Sequence, residues 1–273
     1  MKWNQFTIGA GALLLATMLS ACGGTDEPAA AKENAPKTGA PAPEAAGKFI
    51  AEYGKADTEI ATEGLERLKP GKVLEGFAAS LNGMLKLPHD VTLAGEQCDQ
   101  VNAYYSPDEK KITMCYELVA DGFNRYRDKA ASEEENDEHG QANLLDTLYH
   151  ELGHAVIDIY DLPALGKEDD AADQLSAFIM AQGDDSVGLQ TINYYFASAG
   201  DQDRATLPFY GEHSMDEQRA YNYMCWIYGS DPKRYADWVG EDGLPEERAA
   251  RCPAEYEKLS DSWSKLLDSH VKE

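Results

Sequence analysis

His150, Glu151 and His154 stand in the order His-Glu-Leu-Gly-His within the stretch 147–156. Two histidines four positions apart on a helix are separated by about one turn, so both imidazoles project from one side and can hold the same metal ion. The glutamate after the first histidine then reaches a water at that metal, and the trio forms the His-Glu-x-x-His zinc motif. Zinc lowers the pKa of such a water to about 7 and polarises a peptide carbonyl. Glu151 is the expected general base, taking the proton as the water attacks and passing it to the leaving amine. A catalytic zinc site needs three protein ligands and an open position. One zinc ion is therefore the expected cofactor, with a third ligand to be found. The competing reading is a chance match, with two histidines satisfied inside a core.

The surrounding residues supply the elements that must position this trio. Leu144, Leu145, Leu148, Leu152, Ala155, Val156 and Ile159 recur at helical spacing on one arc, and at about 100° per residue both histidines lie opposite it. The helix is expected to end near Tyr160, where Asp161-Leu162-Pro163 stops it and Gly166 turns the chain back. A second helix over 167–180 then runs antiparallel to the first and brings Glu168, Asp169, Asp170 and Asp173 towards the histidines. The run from Ser132 to His139 reads as a solvated acidic loop, with His139 exposed rather than ligating.

Upstream, residues 1–21 carry Lys2, a short apolar run and Leu19-Ser20-Ala21 directly before Cys22. This is the pattern of a secretory signal ending in a lipobox, similar to bacterial lipoprotein signals, in which the cysteine is lipidated. Residues 22–47 are rich in Ala, Pro, Lys and Glu, lack aromatic residues and cannot bury enough surface to fold. They read as a tether with a reach of roughly 70 Å. The expected location is the bacterial cell envelope, with residues 48–273 as a single domain facing periplasm or exterior and a membrane partner engaged through the N-terminal lipid. Replacing Cys22 by serine should release the domain from membrane fractions; unchanged membrane fractionation of a processed Cys22→Ser protein would contradict the anchor.

The chain has 273 residues, 43% of them hydrophobic, and a formal charge of −25, which sets it against nucleic acid, itself negative. A helix is expected from Phe49, broken at Pro70-Gly71 and resumed over 73–85, followed by strands near 91–94, 101–105 and 111–116, the last two forming a hairpin. Helices are expected over 117–129, 186–199, 215–228 and 254–267, with another starting at Asp231-Pro232. The fold class is α+β, mostly helical, with a small antiparallel sheet ahead of the metal helix. With Cys22 set aside, four cysteines remain in an exported chain, so two disulfides are expected. Three pairings are open; Cys98 with Cys115 and Cys225 with Cys252 are favoured, one across the hairpin and one between late helices.

The run His150-Glu151-Leu152-Gly153-His154-Ala155-Val156-Ile157-Asp158, then 161–166, then Asp169-Asp170-Ala171-Ala172-Asp173-Gln174 resembles a bacterial family of zinc metallopeptidases catalogued as a domain of unknown function. The resemblance covers roughly Val73 to the C-terminus, including Cys98, Asn102 to Tyr105, Met114 to Glu117, Gln218-Arg219 and Cys225 to Gly229. It implies a zincin-like fold and hydrolysis of a peptide or protein substrate. Asp169 stands where that family has Glu. In related peptidases a Glu-x-x-x-Asp element supplies a metal ligand and then a residue that orients a ligand histidine. That spacing assigns Asp169 to zinc, with Asp170 as runner-up, and Asp173 to a hydrogen bond with His150. His213 is the candidate for stabilising the oxyanion, ahead of Arg219 and Tyr105, against a surface or capping role. The rival functions are a surface lipoprotein that keeps the scaffold as a binding module, and a zinc hydrolase acting on another bond.

Overall fold

A computed structural model of the protein describes residues 47–272 apart from 184, 201, 202, 204, 206, 208 and 242. The signal, Cys22 and almost the whole tether thus lie outside the described residues. Among the described residues no helix is long and apolar enough to cross a membrane.

The chain opens with strand β1 (Phe49–Tyr53), where a helix was expected. The helix begins later because Thr58 supplies the cap: its hydroxyl accepts the N–H of Ala61 at 3.2 Å and starts α1 (Glu59–Leu68), which α2 (Val73–Met84) follows. β2 (Val91–Glu96), β3 (Ala103–Ser106) and β4 (Lys111–Cys115) complete one sheet in the order β1-β2-β4-β3. β1 pairs parallel with β2, and β2 parallel with β4; β3 and β4 alone pair antiparallel, Tyr104 opposite Thr113. The sheet is therefore mixed, which corrects the antiparallel expectation. A tight turn joins β3 to β4 and forces them antiparallel, whereas β1 reaches β2 through two helices, the kind of crossover that parallel pairing requires.

After α3 (Tyr116–Asn124) comes α4 (Glu133–Ile159), the 27-residue helix that carries the histidine motif. Its first turns are the run expected to be a loop. Ser132 caps it by accepting the N–H of Glu135 at 3.2 Å, and Glu133, Glu134 and Glu135 sit at the positive end of the helix dipole. His139 is buried, its ring 3.5 Å from that of Tyr126, and not exposed as expected. The buried face of this segment is made of Asn136, His139 and Gly140 rather than leucines, so hydrophobic periodicity could not reveal it. Asn136 donates to the Phe123 carbonyl at 2.8 Å, and Gly140 lies against the Phe123 ring.

α4 stops at Asp161, in the left-handed region at φ 51°, ahead of Pro163, and Gly166 at φ 96° returns the chain into α5 (Glu168–Met180). α6 (Asp185–Gly200), α7 (Asp216–Ser230), the short α8 (Glu246–Ala249) and α9 (Cys252–Leu267) follow. The Asp231-Pro232 segment forms turns and a 3-10 turn at Ala236–Trp238, not the expected helix; Asp231 caps the N–H groups of Lys233 and Arg234, but the chain extends again at Val239. Disulfides join Cys98 to Cys115 and Cys225 to Cys252; the second ties α7 to the first turn of α9.

One contact sets the distance between the two site helices. A Cβ at Gly153 would stand 2.7 Å from the Ala172 Cα, so α4 and α5 meet backbone to backbone. Gly153→Ala must push them apart. It should cost about 1–3 kcal/mol of stability and weaken metal binding with it. Thermal melting and metal titration of this variant check the point, and values equal to the parent's would contradict it.

Candidate metal centre

His150, His154, Asp169 and His213 come together at the first turn of α5. The Nε2 atoms of His150 and His154 are 3.2 Å apart. Asp169 Oδ1 lies 3.9 Å from the first, 3.8 Å from the second and 3.0 Å from His213 Nε2. The His150 and His213 rings face each other with centroids 5.4 Å apart. The close helix approach at Gly153 is what lets a side chain as short as Asp169 reach the imidazoles.

Both motif histidines are held from behind by α5. His150 Nδ1 is 2.7 Å from Asp173 Oδ1, and His154 Nδ1 is 2.7 Å from Glu168 Oε1. A carboxylate on Nδ1 fixes the proton there and leaves the Nε2 lone pair facing the common point. Two such lone pairs at contact distance, with a carboxylate oxygen beside them, form a donor set that suits a divalent cation. The residues present therefore fit the metal that the motif implies.

Behind Asp173 stands a buried polar network. Arg219 on α7 donates to Asp173 through Nε at 2.8 Å and Nη2 at 2.6 Å, and its guanidinium lies 4.3 Å from the centre of the Tyr195 ring. Asp146, one turn before His150, accepts the hydroxyls of Ser176, Tyr195 and Tyr223 at 2.6–2.7 Å. The Tyr223 hydroxyl also lies 3.3 Å from Asp173, which links the two carboxylates. Burial alone would raise the Asp173 pKa, but the charge of Arg219 and the bond with His150 hold it well below the carboxylate range. Burial likewise opposes a charge on His150, and Asp173 outweighs it to raise that imidazole's pKa. Burial pushes the Glu151 carboxyl up, against the pull of the two histidines. His213 is lowered, first by burial and then by the charge of Arg219.

The other residues singled out from the sequence fall elsewhere. Asp170 accepts the Ser214 hydroxyl at 2.7 Å instead of turning to the imidazoles. Arg219 is turned to Asp173 through Nε and Nη2, and the Tyr105 hydroxyl is held by Asp158 at 2.7 Å. Glu117 lies near Cys98 and Cys115, but the two sulfurs are joined to each other, and the carboxylate accepts the N–H groups of Cys98 and Asp99 at 3.1 and 2.9 Å. Glu168, which the sequence offers with Asp169, Asp170 and Asp173 for the third ligand, braces His154 instead, and Asp146 and Tyr223 have no role in the site expected from the sequence. Asp146 did carry a signal, because 146, 150 and 154 lie four apart on one helical face. Tyr223 carried the same spacing from Arg219, but only the packing of α7 on α5 brings that pair to Asp173.

Over residues 53–267 the chain matches the model of a domain-of-unknown-function family described as "Putative metallopeptidase". The chain belongs to that family. The matched span takes in every residue of the centre and both disulfides. A metallopeptidase uses a metal and acts on peptide or protein substrates, which agrees with the ligand atoms that His150, Asp169 and His213 bring within 4.8 Å of one another. Neither among curated proteins nor among solved structures does a relative match the chain.

Proposed function

We propose that the protein is a zinc-dependent peptidase with a zincin-like architecture, in which His150, His154 and Asp169 hold the metal and Glu151 is the general base. The observation that carries this reading is the convergence of three donor atoms within 3.9 Å of one another, each motif histidine braced by its own carboxylate. Bound there, zinc would supply Lewis acidity and a water acidic enough to react near neutral pH. The chain's own residues do the rest. Glu151, buried on α4 beside both imidazoles, takes the proton of the attacking water and delivers it to the leaving amine. Asp173 and Glu168 keep the imidazoles in the donating tautomer and stop their rings from turning. His213, its side chain 55% exposed, stands on the open side of the centre with Nε2 3.0 Å from Asp169 Oδ1, and exchanging that contact would let it donate to the developing oxyanion.

Support for a substrate path comes from β3, an edge strand packed against α4; an extended peptide can add to such an edge through main-chain hydrogen bonds. The N-terminal signal and Cys22 belong to the same proposal as the lipid anchor that holds the domain at the cell envelope.

The test is a zinc titration of the purified domain and four variants. One zinc per chain is expected, abolished by His150→Ala or His154→Ala. Asp169→Asn should weaken binding far more than Asp170→Asn. Full zinc retention in both histidine variants, or a severe loss in Asp170→Asn alone, would overturn the ligand set.

A further inference from the structure

His213 stands where a fourth ligand would stand. Four ligands arranged tetrahedrally around zinc at about 2.0–2.1 Å lie about 3.4 Å from one another. From Asp169 Oδ1 the distances to Nε2 of His213, His154 and His150 are 3.0, 3.8 and 3.9 Å, and the two motif histidines are 3.2 Å apart. His213 is thus nearer to that carboxylate oxygen than either motif histidine. Ligand atoms of His150, Asp169 and His213 also all fall within 4.8 Å of one another. Without a metal, the 3.0 Å contact is a hydrogen bond from an imidazole N–H to a carboxylate. With a metal between them, the same two atoms turn lone pairs to it.

The way His213 is held sets it apart from the motif histidines. His150 and His154 stand on α4 with Nδ1 clamped at 2.7 Å by Asp173 and Glu168, and their side chains are 5% and 19% exposed. His213 lies ahead of α7 with its side chain 55% exposed, and among the described residues no carboxylate bonds its Nδ1. Its main chain, by contrast, is fastened to the start of α5. Lys167 donates to the carbonyls of Gly211 and His213 at 3.1 and 3.4 Å, and Ser214 donates to Asp170 at 2.7 Å. A fixed main chain and an unbraced ring allow the imidazole to leave the centre and return by side-chain rotation, with α4 and α5 at rest. Resting on the ligand set above, we propose that His213 is a fourth, releasable zinc ligand, which closes the centre in the substrate-free protein and yields its position when a peptide enters. The ring leaves as a neutral base with its lone pair, and an oxygen lone pair takes its place. Tautomer exchange through water then moves the ring proton from Nδ1 to Nε2. The released ring can donate to the peptide's oxygen, and that added contact is what favours the open state.

The test reads the ligands one by one and needs no cleavage. The protein, labelled at its histidine ring nitrogens, is loaded with a spin-active cadmium isotope in place of zinc. Through-bond coupling between cadmium and a nitrogen appears only where that nitrogen is a ligand. Coupling is expected at Nε2 of His150, His154 and His213. Saturating acetohydroxamate, a small oxygen ligand, should abolish the coupling at His213 and leave the other two. In parallel, competition with a chelator should show zinc affinity about tenfold lower in His213→Ala, with the melting temperature of the metal-free variant unchanged. Coupling at His150 and His154 but not at His213 overturns the proposal and leaves the ligand set of His150, His154 and Asp169 standing. So does coupling at His213 that persists under hydroxamate, or a variant that binds zinc as tightly as the parent. Absence of coupling at His150 and His154 overturns that ligand set, and the proposal with it.

Discussion

Glu151→Gln is expected to bind zinc as tightly as the parent while hydrolysing peptides about a thousandfold more slowly. The side chain is buried on α4 between the two motif histidines, and an amide occupies the same volume without being able to accept a proton. Loss of a general acid–base typically costs about 10²–10⁴ in rate, and a thousandfold corresponds to about 4 kcal/mol of transition-state stabilisation. None of the atoms that face the metal is altered, so metal content and fold should be unchanged. Metal analysis beside kcat/KM on one cleaved peptide measures both quantities. A rate within tenfold of the parent, with zinc intact, would mean that another group takes the proton.

The second large effect is expected at a residue that does not touch the metal. Arg219→Ala strips two short hydrogen bonds from Asp173, a carboxylate that is 3% exposed. What remains is its bond to His150 and a longer contact with the Tyr223 hydroxyl. Breaking a buried ion pair by removing one partner costs about 3–5 kcal/mol, which lowers Tm by roughly 10 °C in a domain of this size. Asp173 also orients His150, so zinc affinity should fall by about 10–100-fold. Arg219→Lys keeps the charge but not the two-pronged geometry and should fall between. Melting curves and competition with a chelator of known affinity test this, and a variant that melts and binds like the parent would remove Arg219 from the centre.

The parts of the site legible in the sequence are those written in local spacing. His150, Glu151 and His154 share one helix, and Pro163 with Gly166 marks the return into α5, so the meeting of Asp169 and Asp173 with the histidines follows from two adjacent elements. The polar support was less legible. Arg219 and Tyr223 reach Asp173 from 46 and 50 residues away, and the packing of α7 against α5 rather than any periodicity brings them there. The same holds for the sheet. Strand positions near 91, 103 and 111 could be read from β-branched and aromatic runs, but the parallel pairing of β2 with β1 and β4 depends on chain crossings that no local pattern records. The beginning of α4 was missed for a different reason. A helical face of Asn136, His139 and Gly140 packs on Phe123 and Tyr126 through small and polar groups, where the hydrophobic code looks for leucines.

The central claim, zinc-dependent peptide hydrolysis at His150, His154 and Asp169, is tested most directly by one cycle of metal removal and return. Purified domain is stripped with a chelator, dialysed, and assayed against a broad peptide library before and after titration with zinc. Cleavage should vanish on stripping and return in proportion to added zinc, saturating at one equivalent per chain, with the same cut sites as at the start. Cleavage that persists in the stripped protein, or that zinc at one equivalent fails to restore in a chain that is still folded, would contradict it.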